Sequence, residues 1–172
     1  MLLNSQSIKG MPVICGANGE RIGTVSEVRY TPGSKKIDGI LVQDQRRLSG
    51  SIYISLDKII TFGEAAVIVQ GDYLQERKAL EKSSQILGIT VMDLDGREIG
   101  TISDIVFDSE KGSVVGYEIS KGFIDDLMNG RNLLPGDHIY HLSNDVLVIS
   151  AEQSDNLRSN NGGLKNIFFN GF

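Results

Sequence analysis

Apolar positions in this chain come in short runs, broken repeatedly by glycine, asparagine, aspartate and serine. Met11 to Ala17 is mainly apolar, Asn18-Gly19 interrupts, and Ile22 to Tyr30 is apolar again. Runs of this length bounded by turn residues predict strands, and Asn-Gly between two of them predicts a hairpin with a two-residue type I′ turn, both central residues at positive φ. Thr31-Pro32-Gly33-Ser34 makes the next break, before Ile37 to Val42; Leu48 to Ile54, Ile59 to Phe62 and Ala66 to Val69 follow. Five or six short strands separated by regular turn signals fit a small barrel or sandwich.

The pattern then returns. Gly-Glu-Arg-Ile-Gly-Thr-Val-Ser-Glu-Val at 19–28 recurs as Gly-Arg-Glu-Ile-Gly-Thr-Ile-Ser-Asp-Ile at 96–105, an offset of 77, and Asp95-Gly96 stands where Asn18-Gly19 stood. Gly23 and Gly100 fall inside the following strand, where glycine signals a bulge or a close backbone approach. Beyond them Val25, Val28 and Tyr30 match Ile102, Ile105 and Phe107, spaced by three and then two, so a bulge is needed to keep each set on one face. Gly39 and Gly116 also coincide. Further on the offset becomes 80: Asp57 to Phe62 matches Asp137 to Leu142, with each aspartate expected to open a strand, and Ala66 to Val69 matches Val146 to Ile149. The added residues, Phe123 to Met128, have helical spacing and predict one or two turns of amphipathic helix.

A repeat of this period means one folding unit made twice. The expected fold is all-β: two tandem small six-stranded barrels, the first over 1–71 and the second over 84–151. A short helical linker at 72–83 would join them, and a polar linker with an apolar C-terminal tail would follow at 152–172. Units this small gain from packing on one another, which predicts a monomer with an internal pseudo-twofold contact.

Composition narrows the function. No apolar run is long enough for a membrane span, and the N-terminal residues lack a signal peptide's basic and apolar regions, so a cytoplasmic location is expected. A single cysteine leaves no internal disulfide. A net charge of −5, with Lys35-Lys36 and Arg46-Arg47 the longest basic groups, argues against direct nucleic-acid contact. Cys15 aligns with Met92 and reads as core. His138 and His141, three apart in a strand, would point to opposite faces and make no metal pair. Asp125-Asp126 reads as a solvated face, and the Gly-x-x-Ile-Gly segments lack the spacing, lysine and following helix of a phosphate loop. No catalytic, cofactor-binding or metal-binding residue is therefore assigned. Three of the six phenylalanines lie in the last five residues; this tail is expected to plug the fold or to dock a partner. Phe168, Phe169 and Phe172, with Phe123 and Ile124 of the insert, are the candidate partner contacts.

The pattern at 19–28 followed by Ile37-Asp38-Gly39-Ile40-Leu41-Val42 resembles the PRC-barrel family. The second copy resembles it more closely: 95–108 and Val114-Val115-Gly116-Tyr117 carry the family's turn, strand glycine and acidic residue before a hydrophobic pair. The family includes the cytoplasmic barrel of the photosynthetic reaction centre H subunit, the C-terminal barrel of the ribosome maturation factor RimM, and tandem stand-alone bacterial members, which this chain looks most like. The resemblance implies six-stranded barrels used for binding and assembly, without a shared active site. The expected function is a non-catalytic module acting through protein–protein contacts. Two alternatives are a ribosome-maturation or RNA-processing accessory factor and a small-ligand or metal-binding protein with a site between the barrels.

Overall fold

The computed structural model describes residues 1–31, 33–44, 50–73, 84–122 and 132–159. The first copy contains β1 (Leu2–Asn4), α1 (Ser5–Ile8), β2 (Pro12–Cys15), β3 (Arg21–Tyr30), β4 (Ile37–Asp44), β5 (Ser51–Ser55), a 3-10 turn at Leu56–Lys58, β6 (Ile59–Phe62) and β7 (Val67–Val69). The second contains β8 (Ser84–Gln85), β9 (Thr90–Asp93), β10 (Glu98–Asp108), β11 (Val114–Ser120), β12 (Asn132–Pro135), β13 (Ile139–Leu142), β14 (Val146–Ile149) and α2 (Ala151–Ser159). The fold is all-β, as expected, and the two copies share one topology. One sheet runs β5-β4-β3-β2-β7-β6 and the other β12-β11-β10-β9-β14-β13. In each, one parallel pair, β2 with β7 or β9 with β14, returns the last hairpin to the first strand.

The hairpins form at the expected places, but not through type I′ turns. Gly19 and Gly96 have φ of 72° and 80°, while no described non-glycine residue has positive φ, so Asn18 and Asp95 do not. In the second copy Gly96 N–H donates to Asp93 O (3.0 Å) and Asp93 N–H to Arg97 O (3.0 Å), closing a three-residue loop. The first copy closes one residue more, through Gly19 N–H to Cys15 O and Cys15 N–H to Glu20 O, both 2.8 Å. Longer hairpin loops of this kind need a left-handed residue only at their last position, where the glycine sits.

The strand glycines behave as expected. The β2–β3 register slips beside Gly23, and the β9–β10 register slips between Glu98 and Gly100. A Cβ on Gly23 would lie 2.0 Å from Gln43 O, and one on Gly100 would lie 2.3 Å from Ser120 O. A further shift between Val25 and Glu27 supplies the bulge that the three-then-two spacing required. Val25, Val28 and Tyr30 are all buried, as are Ile102, Ile105 and Phe107. The bulge chemistry is also repeated: Ser26 Oγ donates to Leu41 O at 2.9 Å, and Ser103 Oγ to Glu118 O at 3.2 Å.

The chain divides into two compact units. Unit 1 comprises the described residues of Met1–Ile86 together with Phe107–Ser113; unit 2 comprises Leu87–Val106 and the described residues from Val114 onward. Within unit 1, β8 pairs with β3 through Arg29 with Gln85 and Tyr30 with Ser84. Phe107 packs edge-on against Phe62, ring centroids 5.9 Å apart at 72°. Lys36 bridges to Ser113.

Two further expectations are corrected. Residues from 152 to 159, read as polar linker, belong to α2. Its Ser154 and Leu157, one helical turn apart, are buried and anchor it. Asp57 lies in the 3-10 turn and Asp137 in a turn, each ahead of its strand rather than opening it. The predicted insert helix at 123–128 lies outside the described residues, as does most of the predicted 72–83 linker.

Candidate interaction surface

The polar side chains that could carry chemistry hold turns and strands together. Tyr53 Oη donates to Asp38, whose O and Oδ1 are both 3.1 Å away, and Thr31 Oγ1 donates to Asp38 Oδ2 at 2.5 Å. Burial, reinforced by the Asp38 charge and hydrogen bond, raises the Tyr53 pKa. The phenol is thus kept a neutral donor that ties β5 to the start of β4. In unit 2, Asp93 Oδ1 accepts from Asp95 N–H (3.0 Å) and Arg97 N–H (2.9 Å) and so secures the β9–β10 turn. Asp93 Oδ2 is buried, with Arg97 Nη1 3.9 Å away, a charge contact too long for a hydrogen bond. The Arg97 N–H is the main reason the Asp93 carboxyl lies below its ordinary pKa; burial opposes it, and Ser154 of α2 adds to the lowering.

Cys15 is buried on β2, as its alignment with Met92 implied. His138 lies in the bend ahead of β13 and His141 within the strand. The β13–β14 register shifts between Ile139 and His141, and both histidines are exposed. Among the described residues, no group of three or more His, Cys, Asp or Glu side chains is placed to hold a metal ion. No described helix is long and apolar enough to cross a membrane.

One feature of unit 1 with the shape of a binding surface is a cleft of about 610 Å³ alongside β6. It is lined by Met1, Leu56, Ile59 to Glu64, Ser109 and Glu110. Its origin is local. β6 slips register against β7 between Ile59 and Thr61, and the extra residue, Ile60, turns outward. Ile60 is 58% exposed, and Met1, across the cleft, 61% exposed, while Phe62 is buried on Phe107 beneath. The far wall comes from the β10–β11 turn. Asp108 Oδ1 accepts from Glu110 N–H (2.9 Å) and Lys111 N–H (2.8 Å), which fixes Ser109 and Glu110 in place. The Lys111 N–H is the chief cause holding the Asp108 carboxyl below its ordinary range, again against burial. Glu64 and Glu110 are exposed, and neither forms an ion pair with another described residue.

Sequence patterning did not single out this surface. Ile59-Ile60 reads as two adjacent core residues, and only the bulge sends the second outward. One trace was available: at the offset of 80, Ile60 matches Tyr140, which sits at the same kind of register shift on β13 and is 72% exposed. The sequence-derived contact residues Phe123, Ile124, Phe168, Phe169 and Phe172 lie outside the described residues.

Comparison with protein families agrees with the repeated topology. The PRC-barrel domain model matches residues 3–76 and again 80–155. No curated protein matches the chain. The two tandem matches take in every described strand but β1 in full, and on that basis the chain belongs to the PRC-barrel domain family.

Proposed function

We propose that this protein is a non-catalytic binding or assembly module that acts through protein–protein contacts, with the β6 cleft of unit 1 as one contact surface. PRC-barrel domains are known as protein-interaction or assembly modules and are generally non-catalytic. The observation that carries the reading is the outward-turned Ile60 on the wall of the β6 cleft. A bulged strand gives up packing to expose a large apolar side chain there, and such rims mark surfaces that become covered. The aromatic residues Phe168, Phe169 and Phe172 and the insert residues Phe123 and Ile124 are further contacts under this proposal, argued from composition alone.

Site-specific photocrosslinking tests it. A photoreactive residue at Thr61, exposed in the cleft lining, is expected to capture a protein partner that the same residue at exposed Asp145 does not. Ile60→Asp is expected to remove that partner without lowering Tm. Equal capture from both positions, or capture indifferent to Ile60→Asp, would refute the assignment of the surface.

A further inference from the structure

We infer that the β6 cleft takes a short extended segment of a partner protein in which an apolar side chain stands next to a lysine or arginine. This rests on the interaction-module reading and names its ligand. Size gives the first reason: about 610 Å³ accommodates a few side chains, the scale of a peptide or small-molecule site rather than of a flat domain face. The distribution of groups gives the second. Leu56, Ile59 and Ile60 offer apolar contact, polar and apolar atoms share the lining about equally, and its two acidic side chains are Glu64 and Glu110. Neither carboxylate forms an ion pair with another described residue, and the Met1 ammonium, which also lines the cleft, acts on Asp108, so an incoming cation would meet two carboxylates without an ion-pair partner. An acidic ligand would be repelled at the same place. The third reason is the backbone. β6 ends the hydrogen-bonded path of its sheet and pairs only with β7 among the described strands, so an extended chain can lie beside it. The bulge at Ile60 limits that pairing to a short stretch and protects the edge from indiscriminate strand addition.

The test uses the full chain. A displayed library of random seven-residue segments is selected on the protein, with the Ile60→Asp variant as counter-selection; Ile60→Ser replaces it if Ile60→Asp lowers Tm. Selected segments are expected to place Lys or Arg within two positions of Leu, Ile, Val or Phe. A labelled synthetic copy of the strongest is expected to bind saturably by fluorescence anisotropy. The double variant Glu64→Lys with Glu110→Lys should weaken it at least tenfold, and a peptide with Glu in place of the cation should recover binding to that variant. Selection of acidic segments, no enrichment over the counter-selected variant, or an affinity within twofold after charge reversal would overturn the inference. So would self-association abolished by Ile60→Asp, which would assign the face to a second copy. If the partner crosslinked from Thr61 persists while no segment is selected, the interaction-module reading stands and the peptide mode falls.

Discussion

Gly23 and Gly100 are among the residues at which this fold tolerates least. Each sits at a register slip, and in each an added Cβ would run into a backbone carbonyl, 2.0 Å away at Gly23 and 2.3 Å away at Gly100. Backbone of the neighbouring strand cannot swing aside as a side chain can, so the strain would spread into β4 or β11. Gly23→Ala and Gly100→Ala are each expected to cost about 2–3 kcal/mol, read as a lower urea midpoint at unchanged slope. Gly116→Ala is the control. There the nearest atom is Leu133 Cδ1 at 3.0 Å, the end of a side chain that can rotate, and the loss should be much smaller. Equal losses at Gly23 and Gly116 would mean that the repeated strand glycines serve flexibility rather than close approach. These positions were legible before any coordinates. Glycine weakens a strand, so one that recurs inside the same apolar strand of both copies marks a close approach by a neighbour, which is backbone at Gly23, Gly39 and Gly100 and a side chain at Gly116.

At the scale of elements, legibility depended on whether the signal was local. Strands, bulges and hairpin positions were readable from apolar spacing and turn residues. The turn type was not, because Asn-Gly and Asp-Gly suit a two-residue loop and the last residue of a longer one equally well, and only the hydrogen-bond register separates them. Helix α2 was missed because its serine, aspartate and asparagine residues look like linker, while its stability comes from the tertiary burial of Ser154 and Leu157. The β6 cleft was missed for a similar reason, since it is made by a bulge and by a distant turn. The β9–β10 turn carries a prediction of its own. The Asp93 carboxyl has a lowered pKa in the folded protein, so folding favours its charged form. Its stabilising contribution is complete above the unfolded value of about 4 and is lost as pH falls through the lower folded value. Asp93→Asn is therefore expected to lower Tm at pH 7, with the difference from the parent protein shrinking below about pH 4. A difference that stays constant down to pH 2 would show that shape, not charge, holds this turn.

Across the whole molecule, the sequence repeat and the spatial unit do not coincide. Phe107–Ser113 comes from the second copy's long hairpin, yet it belongs to unit 1, as do Ser84 and Gln85 of β8. Phe107 is fully buried there against Phe62, and the turn that follows builds one wall of the cleft. Duplication has thus left the first copy dependent on residues encoded in the second, and the candidate surface is a product of both. Phe107→Ala should remove about 3–5 kcal/mol, the usual loss for a buried phenylalanine. The informative readout is where the loss is felt. Amide hydrogen exchange should accelerate in β6 and β7, some 40 positions away in sequence in the first copy, because those strands lose the ring that Phe62 packs on. A fragment ending at residue 83 lacks Ser84–Ile86 and Phe107–Ser113 and is expected to show no cooperative melting transition. If that fragment unfolds cooperatively, and Phe107→Ala loosens only the strands of its own copy, then each repeat is self-sufficient and the cleft does not depend on the duplication.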